Sequence, residues 1–168
     1  LKSSKLTADE FVNVRVLSQL KIISAMFAPE KGSYLIYGDG RIIDTLPPSS
    51  VVKLTLINDS IEMKAFEFPY GRFKNLKFVC LNEVSNFKVK CLNPERKPRH
   101  FDDNLVVSTD LSGLKLINNS QLDHYIAGVS EAEAGSRSLV EFYKVQAILA
   151  RTYALAHLYK HGIEGYNL

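Results

Sequence analysis

The sequence predicts an α+β protein whose first two thirds are β-rich and whose last third is helical. Apolar residues alternate along short segments from Phe11 to about Asn118, turn residues separate those segments, and helical patterns begin only at Ser120. We therefore expect a β-rich region over residues 1–118 and a helical segment over residues 119–168. In that segment a short helix and one long helix are expected to line a cleft.

The predicted strands rest on alternation bounded by turns. Val12, Val14 and Val16 lie on alternate positions, a period that a helix cannot use. Asp39-Gly40 and Asn58-Asp59-Ser60 predict tight hairpin turns, because these residues tolerate left-handed backbone. Prolines at 47, 48, 94 and 98 mark longer breaks. The further predicted strands cover residues 21–28, 33–37, 52–58, 61–68, 76–81, 87–92, 105–108 and 114–118.

Two helices are predicted after the strands. Ser120, with Asp123 three residues later, is expected to cap a short helix that stops near Gly128. The capping box Ser138-Leu139-Val140-Glu141 starts a long helix that runs to about residue 161, with Gly162 as its C′ residue.

Composition excludes several protein classes. With 168 residues, 46% of them hydrophobic and 23% charged, the chain can bury a core and is not expected to be disordered. The net charge of +3 is small and no dense Lys/Arg run occurs outside Glu95 to His100, so nucleic-acid binding is not expected. The sequence contains no apolar stretch of about 18 residues, so we predict no transmembrane segment in it. Because the chain begins at Leu1, we expect a signal sequence, membrane anchor or tag to precede it.

The two cysteines, Cys80 and Cys91, both fall on the apolar phase of predicted strands. Two interpretations remain open. They are buried thiols, or they form a disulfide in an oxidising compartment.

One face of the predicted long helix carries two cations. Residues seven apart are offset by about 20° on an ideal helix, so Lys144 and Arg151 share a face with apolar neighbours. Either both side chains extend from the apolar stripe to solvent, or they project into a cleft and bind anionic ligand groups. A second line on another face holds Gln146, Ala150, Tyr153 and His157.

Two acids precede this helix among small residues, in Gly128-Val129-Ser130-Glu131-Ala132-Glu133-Ala134-Gly135. Small neighbours leave room for a ligand, yet an acid here can equally be solvated or favour the N-terminus of the following helix. Periodicity does not choose between Glu131 and Glu133. His157 and His161 have the i, i+4 spacing of metal ligands, but such a pair also complements a helix C-terminus, and we predict neither a metal nor a cofactor.

Several short motifs follow one another near the C-terminus: Leu122-Asp123-His124-Tyr125, Gly128-Val129, Glu133, Lys144-Val145-Gln146-Ala147 and Ala150-Arg151-Thr152-Tyr153. In this order they resemble the SpoIID/LytB family, the stage II sporulation protein D type of bacterial cell-wall protein. The resemblance extends from Leu122 to Tyr166, while the earlier β region is compatible with it but not diagnostic.

The resemblance implies a secreted lytic transglycosylase that cleaves glycan strands of peptidoglycan from which the stem peptides have been removed. It assigns the catalytic acid to Glu133 and substrate binding to Lys144 and Arg151, with Gln146 and Tyr153 as further candidates. It also implies an extracytoplasmic location, in the periplasm or cell wall, with a membrane anchor outside these residues. Expected partners are peptidoglycan glycan strands and other cell-wall hydrolases.

One carboxyl group can serve as acid and then as base in such a reaction. Because the acid must be protonated when it acts, we expect apolar residues around Glu133 to shield it from water. The family continues beyond the point that corresponds to Leu168, with a Cys-Asp-like motif and a Gln-x-Tyr, so we expect the C-terminal part of the domain to be missing from this chain. The alternatives are a non-catalytic glycan-binding module or amidase enhancer, and a structural β-rich module in which the face with Lys144 and Arg151 is buried.

Overall fold

The structure is a computed structural model that describes residues 11–66, 68–135 and 137–168. The described residues form strands followed by two helices, which confirms the predicted α+β class. The strands are β1 (Phe11–Val16), β2 (Ser24–Lys31), β3 (Tyr34–Gly38), β4 (Arg41–Leu46), β5 (Val52–Ile57), β6 (Ser60–Ala65), β7 (Phe68–Phe73), β8 (Leu76–Cys80), β9 (Asn86–Asn93), β10 (Arg99–Asp102), β11 (Asn104–Asp110) and β12 (Gly113–Gln121). The helices are α1 (Leu122–Ala134) and α2 (Val140–His157), and a short 3-10 turn covers Gly162–Glu164.

The strands form two sheets of six, in the orders β1-β12-β11-β8-β3-β4 and β10-β9-β2-β5-β6-β7. The chain divides into two compact units. One is Arg15–Asn118, called here the β unit, and the other joins the chain up to Val14 with Asn119–Leu168, called here the helical unit. The chain passes from one unit to the other within β1 and within β12.

Aromatic side chains from both sheets fill the core of the β unit. Phe27 of β2 stacks on Phe78 of β8 with ring centroids 4.1 Å apart, and the edge of Tyr34 in β3 meets Phe27 at 5.4 Å. Phe87 of β9 lies 5.1 Å from Phe27, and all four side chains are buried. Burying an apolar side chain of this size stabilises a fold by about 1.5–3 kcal/mol, so this cluster holds the two sheets together.

The predicted hairpin turns are confirmed. Asp39 and Gly40 form the two-residue turn between β3 and β4 with φ of 48° and 82°. Two successive left-handed residues are what a type I′ turn requires, which explains the Asp-Gly pair. Asn58, at φ 57°, and Asp59 form the corresponding turn between β5 and β6.

Three strands that the sequence did not predict are β4, β7 and β10, and each lies at an edge of its sheet. Edge strands bury few side chains and carry polar residues, Pro or Gly, so alternation is weak there. The strand β7 contains both Pro69 and Gly71, and β10 is Arg-His-Phe-Asp.

All four predicted helix ends are wrong, and the first three are the two ends of α1 and the start of α2. The helix α1 does not stop near Gly128 but continues to Ala134, so Gly128 and Glu133 both lie inside it. Ser120 belongs to β12, and Gln121 precedes α1 without a side-chain cap. The long helix begins at Val140 after Leu139 rather than at Ser138, whose hydroxyl donates back to the carbonyl of Ala134.

The C-terminal end of the long helix also differs from the prediction. The helix α2 ends at His157, and Gly162 lies in the following 3-10 turn rather than at C′. Asn167 anchors this tail, because its side-chain Nδ2 donates to the carbonyl of Leu158 at 2.6 Å and its Oδ1 accepts from the backbone N–H of Asn13 at 2.7 Å.

A small apolar cluster fixes the two helices within the helical unit. Leu122 and Ile126 of α1, Ala154 of α2, Leu158 and Val12 are buried together. The side of α2 that points away from this cluster leaves large apolar side chains exposed. Those on the outward stripe are Phe142, Val145, Leu149 and Tyr153, which helical spacing places on one side.

Cys80 and Cys91 are free thiols on strands of different sheets, with Cys91 buried and Cys80 partly buried. Neither described helix has the length and apolar character needed to cross a membrane.

Candidate functional site

A shallow groove of about 440 Å³ lies between α1 and α2 in the helical unit, lined by Ala127, Ser130, Glu131, Tyr143 and Ala147. Its two ends are fixed by contacts between the helices. Arg151 forms an ion pair with Asp123 at one end, and the Tyr143 hydroxyl donates to the carbonyl of Gly135 at the other. The alanines between these contacts are small enough for the helices to approach closely, and they leave the groove open.

Glu133 does not line this groove. It lies in the last turn of α1, and its exposed side chain forms no hydrogen bond or ion pair with the described residues. Residues two positions apart on a helix are offset by about 200° around its axis, so Glu131 and Glu133 lie on opposite sides of α1. The expected shielding of Glu133 by an apolar loop is wrong for this structure, because the residue is helical and exposed.

The two predicted cations each have a carboxylate partner. Lys144 Nζ lies 2.8 Å from Glu141 Oε1 on the same helix, and Arg151 pairs with Asp123. Asp123 and Glu133 are ten residues apart on α1, about 15 Å along the axis. The structure therefore does not bring Arg151 next to Glu133. The Lys144 and Arg151 side chains are 63% and 45% exposed.

The second line of candidates on α2 forms a small aromatic group. Tyr153 stacks on His157 with ring centroids 4.1 Å apart, and the backbone carbonyl of Tyr153 lies 2.8 Å from His157 Nδ1. Burial, and then the nearby Tyr153, raise the pKa of Tyr125 on α1. Gln146 is half-buried on the same helix.

The described residues contain no group of three or more His, Cys, Asp or Glu side chains that could hold a metal ion. His157 is engaged with Tyr153, and His161 Nδ1 lies 3.1 Å from Glu164 Oε1.

Sequence reasoning missed Asp123, Ser130 and Tyr143 as part of this site. Ser130 is buried in the groove wall, and its hydroxyl has no hydrogen-bond partner among the described residues. Asp123 and Ser130 are seven residues apart and so share one face of α1. Their spacing predicts this only if the helix is known to continue past Gly128.

The model of the family SpoIID, described as stage II sporulation protein, matches residues 110–168. These residues are similar to the SpoIID family and are called here the SpoIID segment. This confirms the family resemblance and extends it upstream to the end of β11. Neither the search of curated proteins nor the search of solved structures found a match to this chain.

The SpoIID segment contains all of the predicted site residues: Glu133, Lys144, Gln146, Arg151 and Tyr153. It also contains the whole groove between α1 and α2. The match relates this segment to stage II sporulation proteins. The described residues of 11–109 lie outside the matched segment.

Proposed function

We propose that the chain is part of a lytic transglycosylase that cleaves the bond between N-acetylmuramic acid and N-acetylglucosamine in peptide-free glycan strands. The observation that carries the proposal is the SpoIID segment, in which an exposed carboxyl group, Glu133, is combined with two exposed cations of α2. The protein would act outside the cytoplasm, in the periplasm or cell wall, where other cell-wall hydrolases would be its partners.

In the proposed reaction, protonated Glu133 donates its proton to the glycosidic oxygen as that bond breaks. The same carboxylate then accepts the proton of the muramic C6 hydroxyl, whose oxygen attacks C1 and closes a 1,6-anhydro ring. Hydrolases commonly need a second carboxylate to attack or to activate water, whereas this reaction needs only one. No water is consumed.

The roles of the cations follow from the chemistry of the substrate. The muramic lactyl group carries a carboxylate, which an Arg or Lys side chain binds by charge-assisted hydrogen bonds. In the proposal a lactyl carboxylate of the bound strand displaces Glu141 from Lys144, and that of a muramic residue away from the cleaved bond displaces Asp123 from Arg151. The exposed position of Glu133 requires that bound glycan, or further protein, removes water from it before it can act as an acid.

The decisive experiment compares Glu133→Gln with Glu131→Gln in the full-length protein. Both variants remove one carboxyl group from the same turn of α1, so Glu131→Gln controls for charge and folding. Each protein is incubated with peptide-free glycan strands, and anhydro-muramic ends are measured by mass spectrometry. We expect Glu133→Gln to abolish these ends and Glu131→Gln to retain them. Equal products from all three proteins would reject the assignment, and loss in Glu131→Gln alone would move the acid to Glu131.

A second candidate function is a non-catalytic glycan-binding module or amidase enhancer. The observation that favours it is the groove itself, which presents Tyr143 and Glu131 but not Glu133. Strand binding without anhydro ends in the wild type, together with reduced binding in Tyr143→Ala, would support this function over the enzyme.

A further inference from the structure

A small pocket opens on the sheet that contains β3 and β8, in the β unit and outside the SpoIID segment. Its volume is about 340 Å³, and it is lined by Tyr37, Gly40, Asn75, Lys77 and Val79. Protein pockets that bind small molecules range from about 300 to 1,000 Å³, so this one suits a ligand group about the size of a single ring.

Strand alternation places the lining side chains on the face of the sheet that is turned away from the core. Tyr37 of β3 pairs with Lys77 of β8, and directly opposed residues project to the same side of a sheet. Val79 projects to this side as well, because it lies two residues beyond Lys77. The neighbouring side chains of Ile36 and Phe78 point into the core and are buried. The pocket therefore combines an aromatic ring, an apolar side chain and a cation.

The turn between β3 and β4 fixes the rim of the pocket. Asp39 Oδ1 accepts from the backbone N–H groups of Lys74 at 3.0 Å and Asn75 at 2.9 Å, and the Asp39 N–H donates to the Asn75 carbonyl at 2.9 Å. A Cβ at Gly40 would meet no heavy atom within 4 Å, so the turn leaves the rim open. Because this backbone is already ordered, ligand binding costs less conformational entropy.

The polar side chains of the pocket are available to a ligand. In the part of the chain that the structure describes, the side chains of Tyr37, Asn75 and Lys77 form no hydrogen bond or ion pair. The Asn75 amide can both donate and accept, and the Lys77 ammonium can donate. Arg41 pairs with the residue after Tyr37 and so projects to the other side of the sheet. With the Asp39 carboxylate at the rim, the site has one charge of each sign, which favours an uncharged ligand.

An uncharged pyranose ring matches this combination of groups. One face of such a ring presents C–H groups, which pack on the negative face of an aromatic side chain, and its edge carries hydroxyl groups that donate and accept hydrogen bonds. We propose that the pocket binds one pyranose ring of an uncharged sugar, with the C–H face on Tyr37 and the hydroxyl groups on Asn75 and Lys77. The proposal does not depend on the reaction assigned to Glu133.

The test measures binding of the full-length protein to three uncharged tetrasaccharides, namely cellotetraose, maltotetraose and chitotetraose, by saturation-transfer NMR titration. The variant Tyr37→Ala removes the aromatic ring, and Tyr37→Phe keeps it. Asn75→Ala/Lys77→Ala removes two exposed side chains. Tyr70→Ala is the matched control, because Tyr70 is another partly buried tyrosine of the β unit and does not line the pocket. Thermal unfolding verifies that each variant is folded during the titration.

We expect at least one sugar to bind, with about 10-fold or greater weakening in Tyr37→Ala and about 3- to 10-fold weakening in Asn75→Ala/Lys77→Ala. Tyr37→Phe and Tyr70→Ala should bind within about 3-fold of the wild type. In the wild type, saturation should be strongest at the C–H protons of one ring face.

Four results would overturn the proposal. They are binding of none of the three sugars, equal weakening by Tyr37→Ala and Tyr70→Ala, unchanged binding in Asn75→Ala/Lys77→Ala, and competition by inorganic phosphate. The last result would identify the pocket as a site for anions at Lys77.

Discussion

Arg151 of α2 forms an ion pair with Asp123 in the first turn of α1. The two side chains are 45% and 50% exposed. Exposed pairs of this kind contribute only about 0–1 kcal/mol, so the pair is a weak part of the fold. A ligand carboxylate can replace Asp123 at little cost in stability.

Asp123→Asn should therefore tighten binding of peptide-free glycan strands, because it removes the carboxylate that competes for Arg151. Arg151→Gln should weaken binding about 10-fold while changing the free energy of unfolding by less than about 1 kcal/mol. Isothermal titration and urea denaturation measure the two effects. Glu141→Gln, which removes the carboxylate paired with Lys144, serves as the comparison. Unchanged binding in Arg151→Gln would argue against a role of Arg151 in substrate binding.

Gly128→Ala should stabilise the protein by about 0.5–1 kcal/mol, because Gly128 lies within α1 and glycine disfavours a helix interior. A Cβ at this position meets no heavy atom within 4 Å, so no steric cost opposes the gain. Thermal unfolding measures the change. If α1 ended at Gly128, as the sequence predicts, the same substitution would destabilise.

Gly135→Ala is the matched substitution at the true end of α1. Gly135 also has open space around its Cβ position, but its φ is 71°. An alanine there should cost about 1–3 kcal/mol from backbone strain alone. Changes of opposite sign in the free energy of unfolding of the two variants would place the end of α1 at Gly135. Stabilisation by Gly135→Ala would contradict this.

Tyr34→Phe should leave stability unchanged or raise it by about 1 kcal/mol, since the buried Tyr34 hydroxyl has no hydrogen-bond partner in the described part of the chain. Phe27→Ala, in contact with Tyr34, should cost about 3–5 kcal/mol by opening a cavity in the same core. Urea denaturation of both variants tests this. A loss above 1 kcal/mol in Tyr34→Phe would reveal a hydrogen bond to the hydroxyl.

Alkaline pH should destabilise the wild type more than Tyr34→Phe. Burial, followed by Cys80, Asp103 and Asp102, raises the pKa of Tyr34 far above its ordinary value. The folded state then keeps a proton that the unfolded state loses above about pH 10, so stability is complete below that pH and falls as pH rises. Denaturation at pH 8, 10 and 11 should show a shallower decline in the variant, and parallel declines would exclude Tyr34 as the cause.

The sequence was most informative where one face of an element is buried. The alternation of Phe78 with Leu76, and of Phe87 with Val89, predicted central strands, while β4, β7 and β10 at the sheet edges gave no such pattern. Gly128 was mistaken for a helix stop because intrinsic propensity was weighed without the packing of Leu122 and Ile126, which carries α1 past it.

For the site, spacing placed Lys144 and Arg151 on one face of α2, as the structure shows. Their partners could not be predicted, because Asp123 reaches Arg151 only through the packing of α1 on α2. The choice of Glu133 over Glu131 came from the family resemblance and stays a prediction. Only the structure shows that these two acids point to opposite sides of α1.

The exposed stripe of α2 has a practical consequence for work with this chain. Phe142, Val145, Leu149 and Tyr153 present an apolar surface on one side of the helix. Such surfaces drive self-association as protein concentration rises, and salts that strengthen apolar burial promote it. We expect the isolated 168 residues to bind hydrophobic dyes in the native state and to remain dispersed best in dilute, low-sulfate buffers.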